Sequence, residues 1–124
     1  MKHFILALVA MSLMAGSALA DGDAANGEQV FKKCGACHSA TEKTNKVGPF
    51  LTGVLGRKVA TVDGYNYSDG MKAFGATGAV WDEATLNKYL AEPKVVVPAT
   101  KMGFAGLKKD DERADLIAYL KTKM

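Results

Sequence analysis

Two thiols and one imidazole stand together in KKCGACHSA, residues 32–40: Cys34, Cys37 and His38. They are the only cysteines of a 124-residue chain. Three chemistries use such a group. A redox dithiol of the thioredoxin type sits where a strand meets a helix in a βαβ pattern, and no such pattern surrounds this one. A structural zinc site wants four ligands, and two thiolates with one imidazole supply three. Covalent haem attachment needs this set as it stands. On a helical turn, positions i, i+3 and i+4 share one face, so both sulfurs can reach the vinyl groups at one porphyrin edge while His38 faces the iron. A plain Cys34–Cys37 disulfide would close too small a loop to constrain much of the chain. The motif is therefore read as one haem c, bound covalently through Cys34 and Cys37, with the dithiol as the next reading.

Residues 1–20, MKHFILALVAMSLMAGSALA, read as a secretory leader. Lys2 precedes an apolar run from Phe4 to about Ala15, and Ala18-Leu19-Ala20 closes an A-x-A cleavage pattern. The run is short for a membrane span, which takes roughly 20 residues. A chain starting at Asp21, residues 21–124, is the expected domain, placed in the periplasm and consistent with haem attachment outside the cytoplasm. Without Lys2 the charge balance is about +2, too weak for a general nucleic-acid binder. His3 leaves with the leader, and His38 becomes the sole histidine.

That arithmetic narrows the second axial position on iron. A bis-histidine centre within one chain is excluded, leaving a methionine, a lysine or an open site. Met102 leads, in VVVPATKMGFAGL (residues 95–107). There Pro98 stops any helix and imposes an extended loop, Gly103 and Gly106 let the backbone bend, and Phe104 and Leu107 exclude water. Met71 is a rival whose apolar packing is the plainer reading, and Met124 is terminal. A thioether favours Fe(II) and raises the potential; with both positions closed the iron can exchange only an electron.

The elements that must position these groups read as helices. Asp23 caps a first helix to about Lys33, with Gly27, Val30 and Phe31 on one face; a close helix crossing would explain Gly27. Residues from Ser39 to about Gly64 read as a loop wrapping the haem edge, with VGPF (47–50) as a turn. Ser68 or Asp69 caps a short helix to about Phe74. WDEATLNKYLAEP is a third helix, stopped by Pro93, with Leu86, Tyr89 and Leu90 as its buried stripe. DDERADLIAYLKTK is a fourth, with acids early and lysines late to suit the macrodipole, and Leu116, Ile117, Tyr119 and Leu120 on its apolar face. The fold class is all-α.

In combination GEQVFKKCGACH, KVGPFLTGVLGRK, GYNYSD, W-x-x-x-x-L-x-x-YL-x-x-P, PATKMGFAGLKK and ER-x-DLIAYLK make the chain similar to class I cytochrome c, close to the mitochondrial protein and its bacterial c-two relatives. The resemblance covers almost all of residues 21–124. It implies thioethers on Cys34 and Cys37, His38 and Met102 as iron ligands, and Pro49 as acceptor of the His38 Nδ1 proton. It implies Tyr89 beside the methionine sulfur; Arg57, Tyr67, Trp81 and Thr100 around the propionates; and Gly27 and Phe31 crossing Leu116 and Tyr119. Lys33, Lys46, Lys94, Lys101, Lys108 and Lys109 match docking positions around the haem edge, suited to acidic partners. Residues 70–80 depart from the mitochondrial pattern, and Ala99 stands where the family often has glycine. The expected function is a periplasmic one-electron carrier, monomeric and not an enzyme. Expected partners are a cytochrome bc complex, terminal oxidase, photosynthetic reaction centre or periplasmic dehydrogenase, with membrane contact only through them. The alternative is a haem sensor or peroxidase with a labile distal ligand.

Overall fold

The computed structural model describes residues 21–124; the leader expected at 1–20 lies outside them. Five helices follow in order: α1 (Ala24–Phe31), α2 (Asp69–Ala76), α3 (Glu83–Ala91), α4 (Pro93–Val96) and α5 (Asp110–Lys121). Among the described residues there is no strand, only an isolated antiparallel bridge between Lys58 and Val80. No helix among them is long and apolar enough to cross a membrane. The all-α expectation holds.

The chain ends clasp each other through α1 and α5. Asp23 caps α1 by accepting from Asn26 N, and its own N–H donates to Asp115 Oδ1 at 2.8 Å. The glycine at 27 is required by this crossing. A Cβ there would lie 1.9 Å from the Asp115 carbonyl oxygen and 2.7 Å from Tyr119 Cβ, closer than any packing allows. Phe31 meets Tyr119 with ring centroids 5.4 Å apart. Leu116, Ile117, Tyr119 and Leu120 are all buried, so α5 forms the floor of the core. Burying such apolar side chains contributes about 1.5–3 kcal/mol each.

Caps set the other helix starts. Ser68, not Asp69, caps α2 through Met71 N, and Asp82 caps α3 through Thr85 N. Two boundaries differ from expectation. The regular part of α1 stops at Phe31, and residues 32–37 continue as turns. Pro93 does end α3, but it also opens α4, so Val95 and Val96 are helical rather than part of an extended loop. Proline lacks only an N–H that the first helical position does not need, and its fixed φ suits that position.

Candidate functional site

The Cys34–His38 segment keeps helical geometry although α1 has ended. The Cys34 carbonyl accepts from both Cys37 N (3.0 Å) and His38 N (2.9 Å), a bifurcated turn that sets the three side chains on one side. Cys34 and Cys37 are not joined to each other by a disulfide. Burial is the main influence on Cys34 and pushes its thiol above the ordinary range, against the pull of Lys33.

His38 is fixed by its surroundings. Its Nδ1 lies 2.7 Å from the Pro49 carbonyl oxygen, so that nitrogen carries the proton and Nε2 keeps a free lone pair. Burial pushes the imidazole pKa down, the Pro49 bond opposes this, and nearby Lys46 lowers it further. The net effect is a neutral ring at pH 7, the form that binds metal. Gly48 lies flat against the ring: a Cβ there would come within 2.2 Å of Cε1 and 2.6 Å of Nδ1. Gly48 N donates to Cys37 O and Leu51 N to Ser39 O, both at 2.7 Å, which staples the Gly48–Pro49 turn beneath the histidine.

Met102 lies in the segment after α4. Its N–H donates to Thr100 Oγ1 at 3.2 Å, and its sulfur is 4.0 Å from the Tyr89 hydroxyl. Tyr89 is buried in an aromatic run, with Trp81 5.0 Å away and Phe74 5.8 Å beyond Trp81. Burial raises the Tyr89 phenol pKa, with a bond to Thr100 working the other way, so the group remains a donor at neutral pH. Met71, like Met102, is half-buried against the core side chains.

Arg57 and Tyr67 form a second polar group. Arg57 donates to the carbonyls of Phe50 (2.8 Å) and Thr52 (2.6 Å), and its guanidinium lies over the Phe50 ring. Burial lowers its pKa, and adjacent Tyr67 partly offsets that. The Tyr67 hydroxyl accepts from Val62 N at 3.0 Å; burial raises its pKa, leaving an O–H to donate. Among the described residues no carboxylate lies within ion-pair distance of Arg57. A half-buried cation without a counter-charge suits an anionic group. The donor set also suits haem: two thiols, a neutral imidazole with a free nitrogen, a thioether, and a cation with a phenol for carboxylates. The residues present fit the group.

Of the lysines, Lys46 donates to Gly35 O, Lys101 to Asn66 O and Lys108 to Ala91 O. Lys33 pairs loosely with Glu112 and Lys108 with Glu92. Lys94 and Lys109 are exposed. Arg113 was not anticipated. It is 7 % exposed, donates to Leu107 O at 2.7 Å and Asn87 Oδ1 at 2.8 Å, and pairs with Asp110. It thereby fixes the end of the Met102 segment. The available signal was an arginine interrupting an acidic first turn, three positions before the apolar face begins at Leu116.

Comparison with known proteins places the chain in a family. The sequence pattern of the family described as cytochrome c matches residues 24–123. Cytochrome c2 of Rhodomicrobium vannielii is 51% identical over 99% of this chain and 98% of its own. Cytochrome c type-1 of Ascaris suum is 50% identical over 81% of this chain and 88% of its own. In three dimensions the chain is similar to cytochrome cH from Methylobacterium extorquens, with a TM-score of 0.75 and 48% identity over 82% of this chain and 100% of that one.

Proposed function

The chain belongs to the cytochrome c family, and from that premise we propose that it is a periplasmic carrier moving single electrons between redox complexes, with His38 and Met102 as its iron ligands. As a family member it carries haem c covalently and is an electron carrier, not an enzyme. The observation that carries the assignment of His38 is its half-buried ring with Nδ1 held 2.7 Å from Pro49 O, which leaves Nε2 as the free donor. When bound, haem supplies an iron that alternates between Fe(II) and Fe(III).

The protein's part is to hold that iron still and dry. Cys34 and Cys37 tether the porphyrin edge. The Pro49 carbonyl holds the His38 ring in one orientation and makes it a better donor. Met102 supplies a soft sulfur, with the Tyr89 hydroxyl beside it. Arg57, Tyr67, Trp81 and Thr100 would hold the propionates, whose negative charge would compensate the Arg57 cation. Held by these residues, a bound iron would gain or lose an electron with little movement of the protein around it.

Lys33, Lys46, Lys94, Lys101, Lys108 and Lys109 form the docking surface for acidic faces of a bc-type complex and of an oxidase, reaction centre or dehydrogenase. Residues 1–20 serve as the export leader and are removed after Ala20. The test is oxidation of the reduced holoprotein by membranes of the source cell. Fast oxidation that slows as salt rises is expected. A rate indifferent to both salt and replacement of these lysines by glutamine contradicts the docking surface.

A further inference from the structure

Ala99 has φ of 59°, a left-handed conformation that costs an alanine energy glycine would not lose. It lies in a turn, Val97–Pro98–Ala99–Thr100, closed by Thr100 N donating to Val97 O at 3.2 Å. Proline at the second position must have negative φ, so positive φ at the third makes this a type II turn. Types I and II differ chiefly by rotation of the peptide joining the two central residues. The Pro98 carbonyl is therefore the part of the turn whose direction is in question.

That carbonyl points at α2. A Cβ on Gly70, in the first turn of α2, would lie 2.2 Å from Pro98 O and 3.3 Å from Val97 Cγ1. Val97 is fully buried and bonded through its N–H to Pro93 O at 2.9 Å, so it has no room to retreat. Lys101 adds a second tie to the same region through Asn66 O. One residue beyond the turn's left-handed position, the Thr100 hydroxyl receives the Met102 N–H.

We propose that Gly70 is a positioning residue for Met102. By presenting no Cβ, it admits the type II orientation of the Pro98–Ala99 peptide. With the peptide seated against α2 the turn keeps its place, and Thr100, whose hydroxyl receives the Met102 N–H, holds the Met102 segment there; a Cβ at position 70 would push the turn, and Thr100 with it, away from α2. The inference rests on the reading of Met102 as an iron ligand. It also assigns a task to part of the segment 70–80, which departs from the mitochondrial pattern.

The test uses oxidised holoprotein, with potassium cyanide as the probe of iron access and the red-edge sulfur-to-iron absorption band as the probe of the methionine bond. Gly70→Ala should weaken the band and speed cyanide binding by about tenfold, because a larger fraction of molecules has the sulfur displaced. Gly75→Ala is the matched control. It lies on the same helix, and its Cβ would lie 2.7 Å from Val59 O instead. It should lower thermal stability yet leave cyanide binding within about twofold of wild type, its contacts lying away from the turn. Equal cyanide rates in the two variants overturn the proposal.

Met102→Ala separates the underlying reading. If the band survives that substitution, the ligand assignment falls and this inference with it; if it vanishes while Gly70→Ala behaves like Gly75→Ala, only the inference falls. Should Gly70→Ala not fold, Ala99→Gly decides. Glycine tolerates the turn without strain, so cyanide binding should slow by about threefold. An unchanged or faster rate overturns the proposal.

Discussion

The two sides of the site are built to different tolerances. The histidine side is over-determined. His38 Nδ1 is 2.7 Å from Pro49 O, Gly48 lies against its ring, and two backbone bonds of 2.7 Å hold the turn beneath it. The methionine side is held at a distance. Among the described residues the Met102 sulfur has one hydrogen-bond partner, the Tyr89 hydroxyl at 4.0 Å, and its segment is anchored at the ends: the Pro98 turn against α2, Leu107 to Leu90 O and Arg113. A ring fixed through its own atoms cannot shift without breaking something. A sulfur placed by the ends of a segment can. Potential and ligand access should therefore be tuned from the methionine side, and stability should be lost from the histidine side.

The largest expected effect is on the rigid side. Gly48→Ala forces a Cβ into the His38 ring and should cost about 3 kcal/mol, read as a sharp fall in holoprotein yield and melting temperature. Met102→Ala should do the opposite: keep the fold and the haem colour on a denaturing gel, but lower the reduction potential by on the order of a few tenths of a volt. A melting loss as large as that of Gly48→Ala would erase the contrast. Tyr89→Phe removes only the hydroxyl beside the sulfur and should shift the potential by less than about 1 kcal/mol equivalent, some tens of millivolts.

The smallest effect lies at the cap of α3, away from both ligands. Asp82 Oδ1 accepts from Thr85 N at 2.7 Å, and bonds from the Thr85 side chain and then its backbone hold the carboxyl pKa below its ordinary value. A depressed carboxyl contributes stability above its unfolded pKa and loses it as pH falls through the folded one. Asp82→Ala should therefore lower the melting temperature at neutral pH, with the gap closing in acid, and leave the potential unchanged.

Much of this was legible because local chemistry and tertiary need coincide. Cys34, Cys37 and His38 are fixed by sequence spacing alone, and the α5 face by its apolar period. Gly27 was readable as a crossing because a glycine inside a helix needs a reason. Pro93 was read only as a stop because proline permits a helix start as readily as it forces an end, and the choice depends on packing downstream. Arg113 was hidden because its partners, Leu107 O and Asn87, become neighbours only when α3 and α5 meet. Gly70 was hidden for the same reason, and Ala99 showed only as an alanine where the family often has glycine. Their relation is a carbonyl direction, which no residue type encodes.

The central claim is that one sulfur, that of Met102, faces the iron opposite His38. It is tested most directly by proton–carbon NMR of the reduced holoprotein with methionine methyls labelled, assigned with Met71→Leu and Met102→Leu. A single methyl displaced far upfield by the porphyrin ring current, present in wild type and Met71→Leu and lost in Met102→Leu, is the expected result. A displaced methyl that disappears in Met71→Leu instead, or none at all, would contradict it.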